Sequence, residues 1–247
     1  MLSIRSIMKN LLYYFLFGLI SVVQAQESDQ NSGDEGPKRT FSVTCWGEWD
    51  GPELFVKEEG QRDAEGKWHK LALADLAISP PLPFEKGSQI TLYQQLEGQE
   101  GTDDEAFKVF AGFKVPSTVR MPLLVLFKSG KKIQGKIFDL SPDRFPGGSY
   151  VFVNLGAKPL QIELNNKKFN LKPGQEHLVR GRIKKNQRVQ IRANAMNDEG
   201  KLTNRYSSML INRPNKRMVM FFFPTTNQAG LETISCRSVV DFVQDKS

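Results

Sequence analysis

Between Phe41 and Phe242 the chain is a succession of short apolar runs of four to eleven residues, broken by Gly, Pro, Asn and Lys. A period near two suits strands with one buried face, whereas a helix needs a period near 3.6. The runs are FSVTCWG (41–47), SQITLYQQ (88–95), AFKVFAGF (106–113), RMPLLVLF (120–127), KIQGKIFDL (132–140) and SYVFVNL (149–155). They continue with LQIEL (160–164), KFNL (168–171), RVQIRANA (188–195), RYSSMLI (205–211), RMVMFFF (217–223) and ETISCRSVVDF (232–242). Only KLALADLA (70–77) suggests a helical turn. Asn165-Asn166 and Pro173-Gly174 mark turns, because Asn tolerates left-handed backbone and Pro-Gly suits a type II turn. The pattern predicts an all-β protein with two sandwich-like, immunoglobulin-like halves of short antiparallel strands. MVMFFF lacks polar alternation and is expected to be a central strand covered on both faces.

Ahead of these runs, Met1–Ala25 has the form of a secretory signal. Arg5 and Lys9 precede the apolar run Leu11–Val23, and Val23-Gln24-Ala25 ends in a small residue, so cleavage is expected before Gln26. The apolar run of 13 residues is shorter than the roughly 20 that span a bilayer core. No transmembrane segment is expected after removal of the signal. Residues 26–39 (QESDQNSGDEGPKR) contain no large apolar side chain and are expected to be a disordered acidic linker. The implied location is periplasmic or extracellular.

Charge divides the chain. Gln26–Phe110 carries 18 Asp/Glu against 8 Lys/Arg, and Ala111–Ser247 carries 24 Lys/Arg against 9 Asp/Glu. This split suggests an acidic N-terminal β half, 40–114, and a basic C-terminal sandwich, 115–247. The two halves could dock on each other electrostatically, or the basic half could attract an external polyanion.

The densest basic stretch is RGRIKKNQRVQIR (180–192), in which Asn186 reads as the tip of a cationic hairpin. Such a tip either grips an acidic ligand or is simply solvated. If the loop NRPNKR (212–217) lies beside it, Arg180, Arg182, Lys184, Lys185, Arg188, Arg213 and Arg217 form a candidate anion site. Trp46 and Trp49 are a second candidate, as a stacking platform for sugars or peptides, or alternatively as core cover. Specific nucleic-acid recognition is not expected, because aromatics do not interleave with these cations.

Catalytic signatures are sparse. His69 and His177 are the only histidines, and neither sits at a metal-ligand spacing, so no metal or other cofactor is expected. Neither a Gly-x-Ser-x-Gly elbow nor a phosphate-cradling loop occurs. Cys45 and Cys236 form either a disulfide between the first and last strands, favoured by an oxidising compartment, or two separate buried thiols.

The segments LAISPPLPFEKGSQITLYQQ, RMPLLVLF, SPDRFPGGSYVFVNLGAKPLQIEL, FNLKPGQEHLV and NRPNKRMVMFFF follow one another in an order that resembles a group of uncharacterised exported bacterial β-sandwich proteins. A more distant likeness is to exported accessory proteins of envelope-polysaccharide modification. The resemblance implies an exported β-sandwich and transfers no catalytic residue. The functional expectation is a non-enzymatic binding or scaffolding protein of the bacterial cell envelope, with an envelope polysaccharide or a protein as partner. The rival expectations are an accessory enzyme on envelope glycans with His69 or His177 in a cleft, and a subunit completed by a partner strand.

Overall fold

In the computed structural model the described residues are 39–58, 67–84, 89–98, 104–129, 132–181 and 183–243. The expected signal and nearly all of the expected linker lie outside them. Among the described residues there are sixteen strands and one 3-10 turn, Asp104–Ala106. Among the described residues no helix is long and apolar enough to cross a membrane.

The first eight strands are β1 (Thr40–Trp46), β2 (Leu54–Glu58), β3 (Lys67–Lys70), β4 (Leu82–Pro83), β5 (Gln89–Gln95), β6 (Phe107–Lys114), β7 (Pro122–Ser129) and β8 (Lys132–Asp139). The second eight are β9 (Tyr150–Asn154), β10 (Leu160–Leu164), β11 (Lys167–Leu171), β12 (Glu176–Val179), β13 (Gln187–Met196), β14 (Leu202–Asn212), β15 (Lys216–Thr226) and β16 (Glu232–Phe242). They form four sheets, ordered β4-β1-β7-β8, β3-β2-β5-β6, β12-β9-β15-β16 and β11-β10-β13-β14. Subtracting eight from each label of the second set reproduces the first set, so one eight-strand topology occurs twice. In both copies the first strand runs parallel to the seventh: β1 to β7 and β9 to β15. The first and second strands lie in different sheets, whereas the immunoglobulin fold keeps them in one. The protein therefore shares the sandwich architecture of that fold, with a different strand order.

The chain forms two compact units, one of 39–146 with 239–243 and one of 147–238. The boundary falls after Pro146 and not at the charge break near Lys114-Val115-Pro116. The reason is pairing: β7 and β8 belong to the basic half of the sequence, yet β7 joins β1 from Ser42↔Leu123 to Trp46↔Phe127. By unit, 147–238 holds 16 Lys/Arg against 5 Asp/Glu, a net of +11, while 39–146 with 239–243 holds 14 against 17, a net of −3.

Each sandwich closes on apolar side chains from both of its sheets. In the N-terminal unit Phe41, Val43 and Cys45 of β1 and Leu124 and Leu126 of β7 pack with Leu54 and Val56 of β2 and Ile90 and Leu92 of β5. In the C-terminal unit Phe152 of β9 meets Phe169 of β11 edge-on at 5.2 Å, and Phe222 of β15 meets Tyr206 of β14 at 5.6 Å. VQIRANA alternates as expected, with Val189, Ile191, Ala193 and Ala195 buried. Met218 to Phe222 are all buried, as are Leu123 to Leu126 at the equivalent place in the first unit.

FPGGSYVFVNL owes its glycines to close backbone crossings. A Cβ on Gly181 would sit 1.9 Å from the Gly148 carbonyl oxygen, and one on Gly147 would sit 2.1 Å from that of Pro214. The Gly148 N–H donates to the Lys216 carbonyl at 2.7 Å. Both marked turns form: Asn165 has φ 51°, and Gly174 has φ 70° with the Gln175 N–H donating to the Lys172 carbonyl.

KLALADLA is not helical. The Leu76 N–H donates to the Cys45 carbonyl at 2.9 Å, and Asp75 bridges Cys45, so this segment is an irregular rim beside β1. The Cys45–Cys236 disulfide is not formed, and both residues are free thiols. Their strands, β1 and β16, belong to different sheets. The buried Cys45 thiol donates to the Gly47 carbonyl at 3.2 Å, and burial pushes the half-buried Cys236 thiol up to about 12.

Three substitutions test this packing. Gly181→Ala should lower the free energy of unfolding by about 2–3 kcal/mol in urea denaturation. Gly112→Ala meets only the flexible Gln89 side chain and should cost under about 1 kcal/mol. The Tyr150 hydroxyl is buried without a hydrogen-bond partner, and burial raises its pKa from 10.0 to about 12. The unfolded chain releases this proton first, so the corresponding stability is intact below pH 10 and is lost as pH rises toward 12. Tyr150→Phe should therefore fold with undiminished stability at neutral pH and flatten that alkaline decline.

Candidate functional site

The basic stretch 180–192 is not a hairpin. β12, which precedes it, pairs with β9, whereas β13, which ends it, pairs with β10 and β14. Residues 180–186 thus carry the chain from one sheet of the C-terminal sandwich to the other, and Asn186 is an exposed residue of that crossover rather than a turn tip.

Strand register brings the two basic loops together. Gln187 pairs with Asn212 and Arg188 with Ile211, which places the start of β13 beside the end of β14 and the turn after it. The Asn212 side-chain amide donates to the Gly148 carbonyl at 2.9 Å, and the Gly181 N–H donates to the Ser149 hydroxyl at 3.0 Å. Ile183 packs on Gly148. Residues 147–149, 180–181, 183–188 and 212–217 therefore share one end of the C-terminal sandwich. Arg180, Lys184, Lys185, Arg188 and Arg213 are all exposed there.

Two expected members differ. Arg182 lies outside the described residues. Arg217 is only 3% exposed and has partners of its own, because it begins the part of β15 that is covered on both faces. In its place the structure adds Lys216, which reasoning from the sequence left out. Burial and then the neighbouring Arg213 charge push the Lys216 pKa below its ordinary 10.5. The only hint in the sequence was its place between Arg213 and a continuous apolar strand.

Among the described residues, none of Arg180, Lys184, Lys185, Arg188, Arg213 and Lys216 forms an ion pair or side-chain hydrogen bond. Several cations elsewhere are matched, among them Lys57 with Asp104, Lys70 with Glu53, Lys128 with Asp50, Lys158 with Glu232 and Arg192 with Glu163. A group of like charges without counter-charges holds a positive potential that an acidic ligand would relieve.

The tryptophan platform has structural duties. The Trp49 indole packs on the N-terminal core and its N–H donates to the Pro52 carbonyl at 2.9 Å, while the half-buried Trp46 lies 6.0 Å from Phe127. An aromatic cluster that sequence reasoning missed occupies the outer face of β3-β2-β5-β6. Trp68 stacks on Phe107 at 3.8 Å and meets Tyr93 edge-on at 4.9 Å, and Phe55 meets Phe107 at 5.1 Å. Its members are spread over four strands, three of them short or separated by long loops, so only the pairing reveals it.

The histidines are engaged locally. His69 Nε2 is 2.8 Å from Glu58 Oε2, and His177 stacks on Phe169 at 4.3 Å. Neither lines the cleft of about 100 Å³ around Met196, Phe223, Arg205 and Glu232, nor the open depression bounded by Glu53, Gln94 and Glu97. The first of these is below the roughly 300 Å³ at which small-molecule pockets begin. Among the described residues no group of three or more His, Cys, Asp or Glu is placed to hold a metal ion.

No protein-family model matches the chain, and no curated protein matches it.

Because Lys216 is held against burial and a like charge, removing its charge should relieve strain. Lys216→Met is expected to raise the thermal midpoint while weakening any polyanion binding, the opposing pair of changes typical of a binding group. A structural lysine would lose stability instead.

Proposed function

We propose that the protein is an exported, non-enzymatic binding or scaffolding component of the bacterial cell envelope, and that it holds an acidic glycan at the basic end of its C-terminal sandwich. The observation that carries this reading is the convergence of Arg180, Lys184, Lys185, Arg188, Arg213 and Lys216 without anionic partners among the described residues. The net +11 of that unit against −3 for the other supports the choice of end. Export is supported by the signal-like composition of Met1–Ala25. The rims are loops on a rigid sandwich, the usual placement for recognition residues. A linear polymer suits them better than a small ligand, since the cations line an exposed rim and not a deep pocket.

The experiment is binding of the purified protein to acidic glycans, anionic vesicles and DNA at low and physiological salt. Acidic glycan should bind saturably. The triple change Lys184→Ala, Lys185→Ala and Arg188→Ala should weaken binding on the order of a hundredfold, at about 1 kcal/mol per cation. Equal, strongly salt-dependent binding to all three polyanions would mark unspecific attraction and overturn the glycan assignment.

A further inference from the structure

β14 is the last strand of its sheet, and among the described residues no strand pairs with its outer edge. The direction of its backbone groups follows from its neighbours. The Gln190 N–H donates to Asn165 Oδ1 at 2.9 Å and the Gln190 carbonyl accepts from the Asn165 N–H at 2.8 Å, so both backbone groups of Gln190 point toward β10. Gln190 is the register partner of Met209. In an antiparallel pair such a residue faces a partner whose own N–H and C=O point away from it. The backbone groups of Met209, and with period two those of Ser207 and Ile211, therefore project from the free edge. The preceding position of this series is protected: the Arg205 carbonyl accepts from the Thr233 hydroxyl at 2.8 Å.

The side chains add to the exposure. Ser207, Met209 and Ile211 share the outer face with their register partners Arg192, Gln190 and Arg188. Met209 is 60% exposed and Ile211 57%. An open edge carrying exposed apolar side chains is a template for another strand, and proteins that remain monomeric usually block it with a charge, a proline or a bulge. The bulge of β13 and β14 lies at Ala193/Asn194, outside this segment.

We propose that this edge pairs antiparallel with the same edge of a second copy of the chain, with Met209 on the two-fold axis. The segment is self-complementary in that register, as an isologous contact requires. Met209 faces Met209 of the second copy, and the small Ser207 faces the large Ile211 on both sides of the axis. All three positions form hydrogen-bonded pairs that use the projecting backbone groups. Arg188 and Arg192 stand one strand further back in each copy, so two strands separate them from their counterparts. At about 4.8 Å per strand that is roughly 14 Å, beyond the ~8 Å screening length at physiological salt. An acidic strand from another protein would find Met, Ile and Ser opposite its carboxylates instead of cations. The resulting continuous sheet would join two basic ends and raise the avidity for a polymer, although the pairing rests on the edge geometry alone.

Sedimentation equilibrium of the purified protein should give a reversible dimer. Met209→Pro removes an N–H that points away from β13, a substitution an edge strand tolerates. It should leave the circular dichroism spectrum and thermal midpoint of the fold in place and raise the dimer dissociation constant at least tenfold. Met209→Cys should cross-link under mild oxidation beyond the wild-type level, because a hydrogen-bonded pair holds its Cα atoms about 5.5 Å apart, within disulfide reach. Ser207→Cys alone should not, whereas Ser207→Cys with Ile211→Cys should. A monomer at all concentrations, a dimer indifferent to Met209→Pro, or equal cross-linking from Ser207→Cys alone would overturn the proposal. Loss of glycan binding by the Lys184, Lys185 and Arg188 variant bears on the proposed function and leaves this dimer untouched.

Discussion

Each sandwich is organised by its seventh strand, an apolar run held parallel to the first strand and covered on both faces. Leu124 and Leu126 point into the core of the N-terminal unit while Leu123 and Val125, on the opposite face of β7, are equally buried. In the C-terminal unit Met218 through Phe222 repeat that arrangement on β15. Burial of a large aliphatic or aromatic side chain contributes about 1.5–3 kcal/mol, so these two strands concentrate much of the stabilisation. Their parallel pairing also forces the intervening strands to cross between sheets, and that crossing creates the loops at the ends of each sandwich.

The basic end is a consequence of this geometry. Because β15 must enter beside β9, the Lys216 carbonyl meets the Gly148 N–H, and Gly147, Gly148 and Gly181 permit the backbones to approach closely. The same constraint brings the crossover 180–186 next to the turn after β14. Cations more than twenty residues apart in sequence thus share one rim. Lys216 shows the cost of that concentration, since burial and Arg213 both act against its charge. Such local conflict is commonly retained where a ligand relieves it.

Much of the strand pattern was legible because period two is local. Val189, Ile191, Ala193 and Ala195 announce their face through alternation, and Asn165 and Pro173-Gly174 announce their turns through backbone chemistry. β2, β3, β4 and β12 were not recognised: none exceeds five residues, and their pairing with neighbours, more than their composition, makes them strands. The duplication was also present but faint. RMPLLVLF and RMVMFFF occupy equivalent strands, and LEG and DEG close equivalent hairpin regions. Self-similarity of that kind is the first thing that marks repeated units in a sequence.

The sequence by itself determined the all-β class, the two-sandwich architecture, the face of β13 and the burial of β15, because alternation and apolar content act over a few residues. It could not determine the unit boundary, since charge composition does not report that β7 pairs with β1 across some eighty positions. Only the tertiary structure decided that Cys45 and Cys236 belong to different sheets, that Arg217 is buried and that Lys216 joins the rim. It alone decided that, among the described residues, no strand pairs with the edge of β14 from Ser207 to Ile211. These properties depend on register and sheet order, which long-range pairing fixes and no local pattern encodes.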